Sequence, residues 1–125
     1  MGSYQYEPKG NHPHAPFLSI LILHPLNREQ QVRCKALLDT GADYTMVPKR
    51  LLSELQLPPN GRERSFGGSS EIRALPYLVA IHFDGSVINE ATVYGWSRNA
   101  AVIGRDLMNR YCIEFNGRGF LFHIN

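Results

Sequence analysis

The hydrophobic positions of this chain fall into short runs instead of helical stripes. Phe17 to Leu23 reads FLSILIL, and after a turn around HPLNREQ the next run, QVRCKALLD, alternates: Val32, Cys34, Ala36 and Leu38 on one side, Gln31, Arg33, Lys35 and Leu37 on the other. A period of two is that of a strand with one face inward, so the two runs predict a β-hairpin. The stretch TMVPKRLLSELQL changes character. Pro48 suits a first helical position, and Leu51, Leu52, Leu55 and Leu57 form one apolar side of a single short helix that must end before Pro58-Pro59. RERSFGGSSEIRALPYLVAIHF places Gly67-Gly68 and two serines between strand-like flanks, which predicts a hairpin with a mobile tip. SVINEATVYGW supplies another strand. AAVIGRDLMNRYCIEFNGRGFLFHIN supplies an apolar strand, a tight Gly104, a short helix and a closing hairpin around NGRG, whose Gly117 and Gly119 suit the turn. Strands are frequent and helices few, so the pattern predicts an all-β fold.

Composition narrows the class. At 125 residues the chain is long enough for one domain with its own core, and 43% hydrophobic with 19% charged residues is the balance of a globular protein. A net charge of +2 without a stripe of Lys and Arg predicts no nucleic-acid partner. No apolar run approaches the ~20 residues of a membrane helix, and no signal peptide opens the chain, so no membrane partner is expected. Cys34 and Cys112 lack metal-ligand spacing and read as reduced thiols of a cytoplasmic protein. Residues 1–16 carry three prolines and two glycines without periodicity and predict an extended, flexible N-terminal arm before a domain at 17–125. His12, His14 and His24 have no acidic or Cys partners at ligand spacing, so no metal or other cofactor is expected.

One stretch raises a chemical question. In ALLDTGADYTMVP an apolar run delivers Asp39 straight into a turn. One reading is structural: Asp before Thr-Gly commonly hydrogen-bonds its own turn. The other is functional. A carboxylate at the end of a buried run, followed by a hydroxyl and by a glycine that lets another backbone approach, is a preorganised acid/base. The remaining candidates have plainer roles. Asp84 in FDGS is a hairpin residue, Asp106 caps a helix start, Glu71 and Arg73 alternate on a solvated arm, and Trp96 is a partly buried anchor. Ser and His show no nucleophile-base pattern, and GGSS lacks the Lys of a phosphate loop.

LLDTGADYTMV, FGGSSEIR and VIGRDLM occur in an order and at spacings similar to those of the retroviral-type aspartic proteases, the retropepsins and their cellular relatives. The likeness covers about residues 17–116. It implies a small retropepsin-like closed β-barrel, the half of an acid protease, with a flap hairpin and one or two short helices. It also implies roles. Asp39 resembles the catalytic aspartate, with Thr40 holding paired loops together and Gly41 lining the peptide. Ala42, Asp43 and Tyr44 would contact substrate, and Asp43 would pair with Arg105. Phe66, Gly67, Gly68 and Ser69 would form the flap tip, while Val102, Ile103 and Gly104 would form the strand beneath the active-site loop. The flap differs from many relatives in carrying Ser69-Ser70, and no Arg upstream of Asp39 matches the intersubunit salt-bridge partner of viral enzymes.

Hydrolysis of a peptide bond without a metal or a covalent intermediate needs a base for water and an acid for the amide, and two carboxylates sharing a proton supply both. The sequence holds one Asp-Thr-Gly and no Asp-Ser-Gly. The expected enzyme is therefore a homodimeric aspartic endopeptidase acting on a peptide or protein substrate, its site on the two-fold axis. The alternative is a noncatalytic retropepsin-fold domain that dimerises or binds peptide.

Overall fold

The computed structural model describes residues 2–67 and 72–125. It begins with three short strands, Gly2–Gln5 (β1), Glu7–Lys9 (β2) and His12–Ala15 (β3). The stretch expected to be an extended, flexible arm is extended, and it is hydrogen-bonded throughout. β2 and β3 form a hairpin turning at Gly10, whose φ of +58° suits glycine, and β1 pairs antiparallel with the last strand of the chain. Side chains add to the ladder: the Tyr4 ring stacks on Phe122 at 5.2 Å, and its hydroxyl donates to Asp84. Burial, and then that carboxylate, push the Tyr4 hydroxyl up to about 12.

Phe17–Leu23 (β4) and Gln31–Leu38 (β5) make the antiparallel pair expected of an apolar run followed by an alternating one, in register from Phe17 opposite Leu37 to Leu23 opposite Gln31. After the Asp39 loop come Met46–Pro48 (β6) and the helix Lys49–Glu54 (α1). Pro48 stands one place earlier than predicted, at the N-cap. Leu51, Leu52 and Leu55 are buried, and the helix is terminated by Gln56 in the left-handed region at φ +56°. Arg64–Phe66 (β7) pairs with Ile72–Phe83 (β8). β8 then turns into Ser86–Trp96 (β9) through Asp84 and Gly85, whose φ values of +50° and +76° are those of the tight hairpin turn read from FDGS. Ala101–Ile103 (β10), the short helix Arg105–Met108 (α2), Ile113–Asn116 (β11) and Leu121–Ile124 (β12) complete the chain.

The strands β4, β5, β10, β6, β9 and β8 are hydrogen-bonded in that order, and β8 returns to pair with β4, so the sheet closes on itself as a small barrel. A barrel of this size is filled by its own side chains. Ile20, Ile22, Val47, Val79, Ile81, Phe83 and Ile103 are all at most 1% exposed, and burial of each such side chain contributes roughly 1.5–3 kcal/mol. β1, β12 and β11 form a separate sheet in that order. The closing hairpin around NGRG forms as predicted, but the left-handed residue of its turn is Phe120, at φ +56°, and not Gly117 or Gly119. The Asn116 side chain takes the glycine N–H instead, accepting from Gly119 at 2.9 Å.

Candidate active site

β5 carries Asp39 to the end of the barrel, and β10 fixes it there. β10 runs parallel to β5, with Ile103 opposite Leu38, and the ladder continues one step further as the Asp39 N–H donates to the Ile103 carbonyl at 3.0 Å. The chain then folds back tightly. The Ala42 N–H donates to the Asp39 carbonyl at 3.1 Å, and the Gly41 N–H donates to the Asp39 carboxylate at 2.9 Å. The turn-forming reading is thus realised, with one carboxylate oxygen accepting the Gly41 N–H. Asp39 is half-buried. A Cβ on Gly41 would come within 3.2 Å of the carboxylate, so glycine leaves that face clear.

The loop is clamped from α2. The Arg105 N–H donates to the Ala42 carbonyl at 2.9 Å, its guanidinium donates to the Thr40 carbonyl at 2.5 Å, and it forms an ion pair with Asp43. That pair is open to water, its side chains 43% and 70% exposed, so its direct contribution to stability is at most about 1 kcal/mol. Its effect is positional. Thr40 itself is exposed, and Gly104 packs so closely under Tyr44 that a Cβ there would lie 2.7 Å from the Tyr44 carbonyl carbon.

A buried polar knot that the sequence did not suggest lies directly behind. Thr45, fully buried, donates its hydroxyl to Asp106 at 2.8 Å and its N–H to the other Asp106 oxygen at 3.1 Å, while its hydroxyl accepts the Gly104 N–H at 3.1 Å. Asp106 also accepts the Leu107 N–H at 2.9 Å, which is the helix-start role read from the sequence. A buried network in which every member is satisfied rigidifies what it ties together, here the Asp39 loop and α2.

The other wall comes from β7. Phe66 packs edge-on against Tyr44 at 5.6 Å and Tyr94 at 4.8 Å, and Arg64 lies over the Tyr44 ring at 4.4 Å. A hydrogen bond to Tyr94 raises the Arg64 pKa most, burial opposes it, and a hydrogen bond to Tyr44 adds to the rise. Gly67 has φ +94°, a conformation that needs glycine. Gly68 and Ser69, the rest of the expected flap tip, lie outside the described residues. Between the loop and this side of the barrel is a cavity of about 400 Å³ against Asp39, bounded by Phe17, Leu37, Ala42, Met46, Trp96 and Val102. Trp96 is 8% exposed and anchored by its indole N–H on the Ala100 carbonyl at 2.9 Å, so it is both anchor and cavity wall.

The structure thus brings Asp39, Ala42 and Val102 to one cavity and Asp43, Thr40 and Arg105 to one clamp, with Ile103 and Gly104 beneath. Tyr44 faces the β7 arm. Thr45, Met46, Phe17, Tyr94 and Arg64 were not read as site residues. Only the aromatic character of TVYGW and SF hinted at the last group. Among the described residues no three His, Cys, Asp or Glu side chains are grouped to hold a metal ion, and no helix is long and apolar enough to cross a membrane.

No family model matches the chain, and no curated protein does. Solved structures do. The chain is similar to a retropepsin-like aspartic protease from Rickettsia conorii, with a TM-score of 0.68 and 15% identity over 99% of this chain and 90% of that one. It is also similar to the EIAV protease complexed with the inhibitor HBY-793, with a TM-score of 0.59 and 20% identity over 82% of this chain and 93% of that one. The chain has the retropepsin fold. In this chain β10 runs parallel to β5 beside the Asp39 turn, and β7 pairs antiparallel with β8.

Proposed function

We propose that the protein is an aspartic endopeptidase whose active site forms between two copies of the chain. The observation that carries this reading is Asp39 itself: a carboxylate on a turn held at both ends by backbone hydrogen bonds, lining a cavity whose other walls are mostly apolar, with Lys9 and Arg98 at its rim. One chain supplies one such carboxylate. Two Asp39 side chains meeting on a two-fold axis would share a proton, because adjacent like charges drive their titrations apart. The ionised member takes a proton from water as the water attacks the peptide carbonyl, and the protonated member supplies one to the reacting amide. In this reading Thr40, exposed beside Asp39, holds the two loops together through its hydroxyl. Phe66 to Ser69 cover the peptide, and Ala42, Asp43, Tyr44 and Val102 contact it. Two unpaired thiols, Cys34 and Cys112, fit a reducing compartment, and we place the protein in the cytoplasm.

One observation favours the noncatalytic alternative. β1 and β11 are the outer strands of the three-stranded terminal sheet, edges of the kind to which a peptide or a second copy adds a strand. The deciding experiment is to incubate the protein with a denatured polypeptide at mildly acid pH beside Asp39→Asn, which keeps the side-chain shape and removes the acid. Cleavage by the parent alone, optimal below neutral pH, supports the endopeptidase. Equal cleavage by both, or none by either while peptide still binds, overturns it.

A further inference from the structure

The Asp39 cavity does not end at the apolar wall. It shares Lys9, Phe17, Ala100 and Ala101 with a second cavity of about 410 Å³ between the β2–β3 hairpin, β5 and α1. The two form one trough leading away from Asp39, and its charge is lopsided. The second cavity is lined by Lys9, Arg33, Lys35 and Arg50 against a single carboxylate, Glu7. Glu7 is committed to Lys35, with 2.5 Å between ammonium and carboxylate. Among the described residues no carboxylate lies within ion-pair distance of Lys9, Arg33 or Arg50, and Arg98 adds a further positive charge on the Asp39 side. The floor carries no compensating anion: Cys34, between Arg33 and Lys35, is pushed up to about 11 by burial and stays a neutral thiol. A whole-chain excess of only +2 is thus concentrated beside the cleft, while a separate cavity lined by Tyr44, Glu90, Asp106 and Arg110 is net acidic.

We propose that this trough is a subsite extension that selects peptides carrying Asp or Glu on one side of the bond to be cut, with Arg33 and Arg50 as the specificity-determining residues. The inference rests on the endopeptidase reading for the word cleavage, though not for binding. A strand-like peptide advances about 3.3 Å per residue, so a carboxylate a few residues from the Asp39 subsite reaches the arginines. The guanidinium fork suits a carboxylate better than an ammonium does, which distinguishes Arg33 and Arg50 from Lys9.

The test uses two fluorescent peptides of identical sequence except that three Glu in one are Gln in the other. Binding is measured by anisotropy on the full chain carrying Asp39→Asn, and cleavage on the parent chain. The acidic peptide is expected to bind roughly tenfold more tightly at low salt, with the advantage shrinking as salt rises. Arg33→Ala/Arg50→Ala should erase the preference while leaving the affinity for the Gln peptide in place, and Arg118→Ala, in the β11–β12 turn, should preserve it. Equal binding of the two peptides, or a preference that survives the double substitution, overturns the inference. Selective binding without cleavage by the parent sinks the endopeptidase and leaves the acidic subsite standing, whereas cleavage indifferent to Glu does the reverse.

Discussion

Two single positions separate steric from electrostatic control of the site. Gly104 has φ −92° and ψ −177°, extended values open to any residue, so nothing in its own backbone demands glycine. The demand is external, because the atoms a Cβ would strike at 2.7 Å belong to the Tyr44 main chain and cannot rotate away. Gly104→Ala should therefore destabilise by about 1–3 kcal/mol, read as a lower denaturant midpoint with unchanged slope. An unaltered midpoint would mean that the loop and α2 are not packed as described. Cys34 gives the pH counterpart. Burial raises its thiol from 9.0 to about 11, with Arg50 pulling the other way. The folded state thus prefers the neutral form, and the contribution is whole below pH 9 and is lost as pH climbs toward 11. The melting temperature should fall more steeply over that range in the parent than in Cys34→Ala, and parallel curves would contradict the burial. At pH 8, exposed Cys112 should accept a maleimide well before Cys34 does.

At the scale of elements, the β7 arm depends on one aromatic contact more than on its own ladder. β7 has only three paired positions with β8, and Phe66 belongs to a small cluster with Met46, Ala74 and Trp96, apart from the barrel interior. Phe66→Ala should cost the arm about 0.5–1.5 kcal/mol of contact with Tyr44 and Tyr94, speed amide exchange in β7, weaken peptide binding, and leave the global unfolding midpoint nearly unchanged. A large global loss with unaltered exchange would make the arm part of the core. Legibility in the sequence followed the range of the forces involved. β4 and β5 announced themselves because one is an apolar run, the other alternates over a full strand, and the two are neighbours in the chain. β6 and β10, three residues each, are too short to show a period, and they are strands only because β5 and β9 lie alongside. β2 and β3 were hidden by Pro8 and Pro13, and β1, only four residues long, shows no apolar alternation. The Asp39 turn and its Arg105 clamp were legible through motif resemblance, whereas Thr45 and Asp106, 61 positions apart, carry no local signal of meeting.

At the scale of the whole molecule, the fold leaves its proposed chemistry half-finished. Each chain closes its own barrel, has β12 flanked by β1 and β11, and carries one Asp39 in an Asp-Thr-Gly turn. In the proposed dimer a second copy meets the first through surfaces other than the edges of β12, and the site exists only while it does so. That requirement has a quantitative signature. When parent and Asp39→Asn chains are mixed in equal amounts and allowed to exchange, random pairing makes only about a quarter of the dimers carry two aspartates. If both are needed, activity at fixed total chain concentration should fall to about a quarter of the parent value, whereas chains that act alone would give about a half. Serial dilution should show the same dependence, with specific activity declining as dimers separate and recovering on concentration. A mixture that retains half the activity, together with specific activity indifferent to dilution, would show that a single Asp39 suffices and would remove the two-fold site from the mechanism.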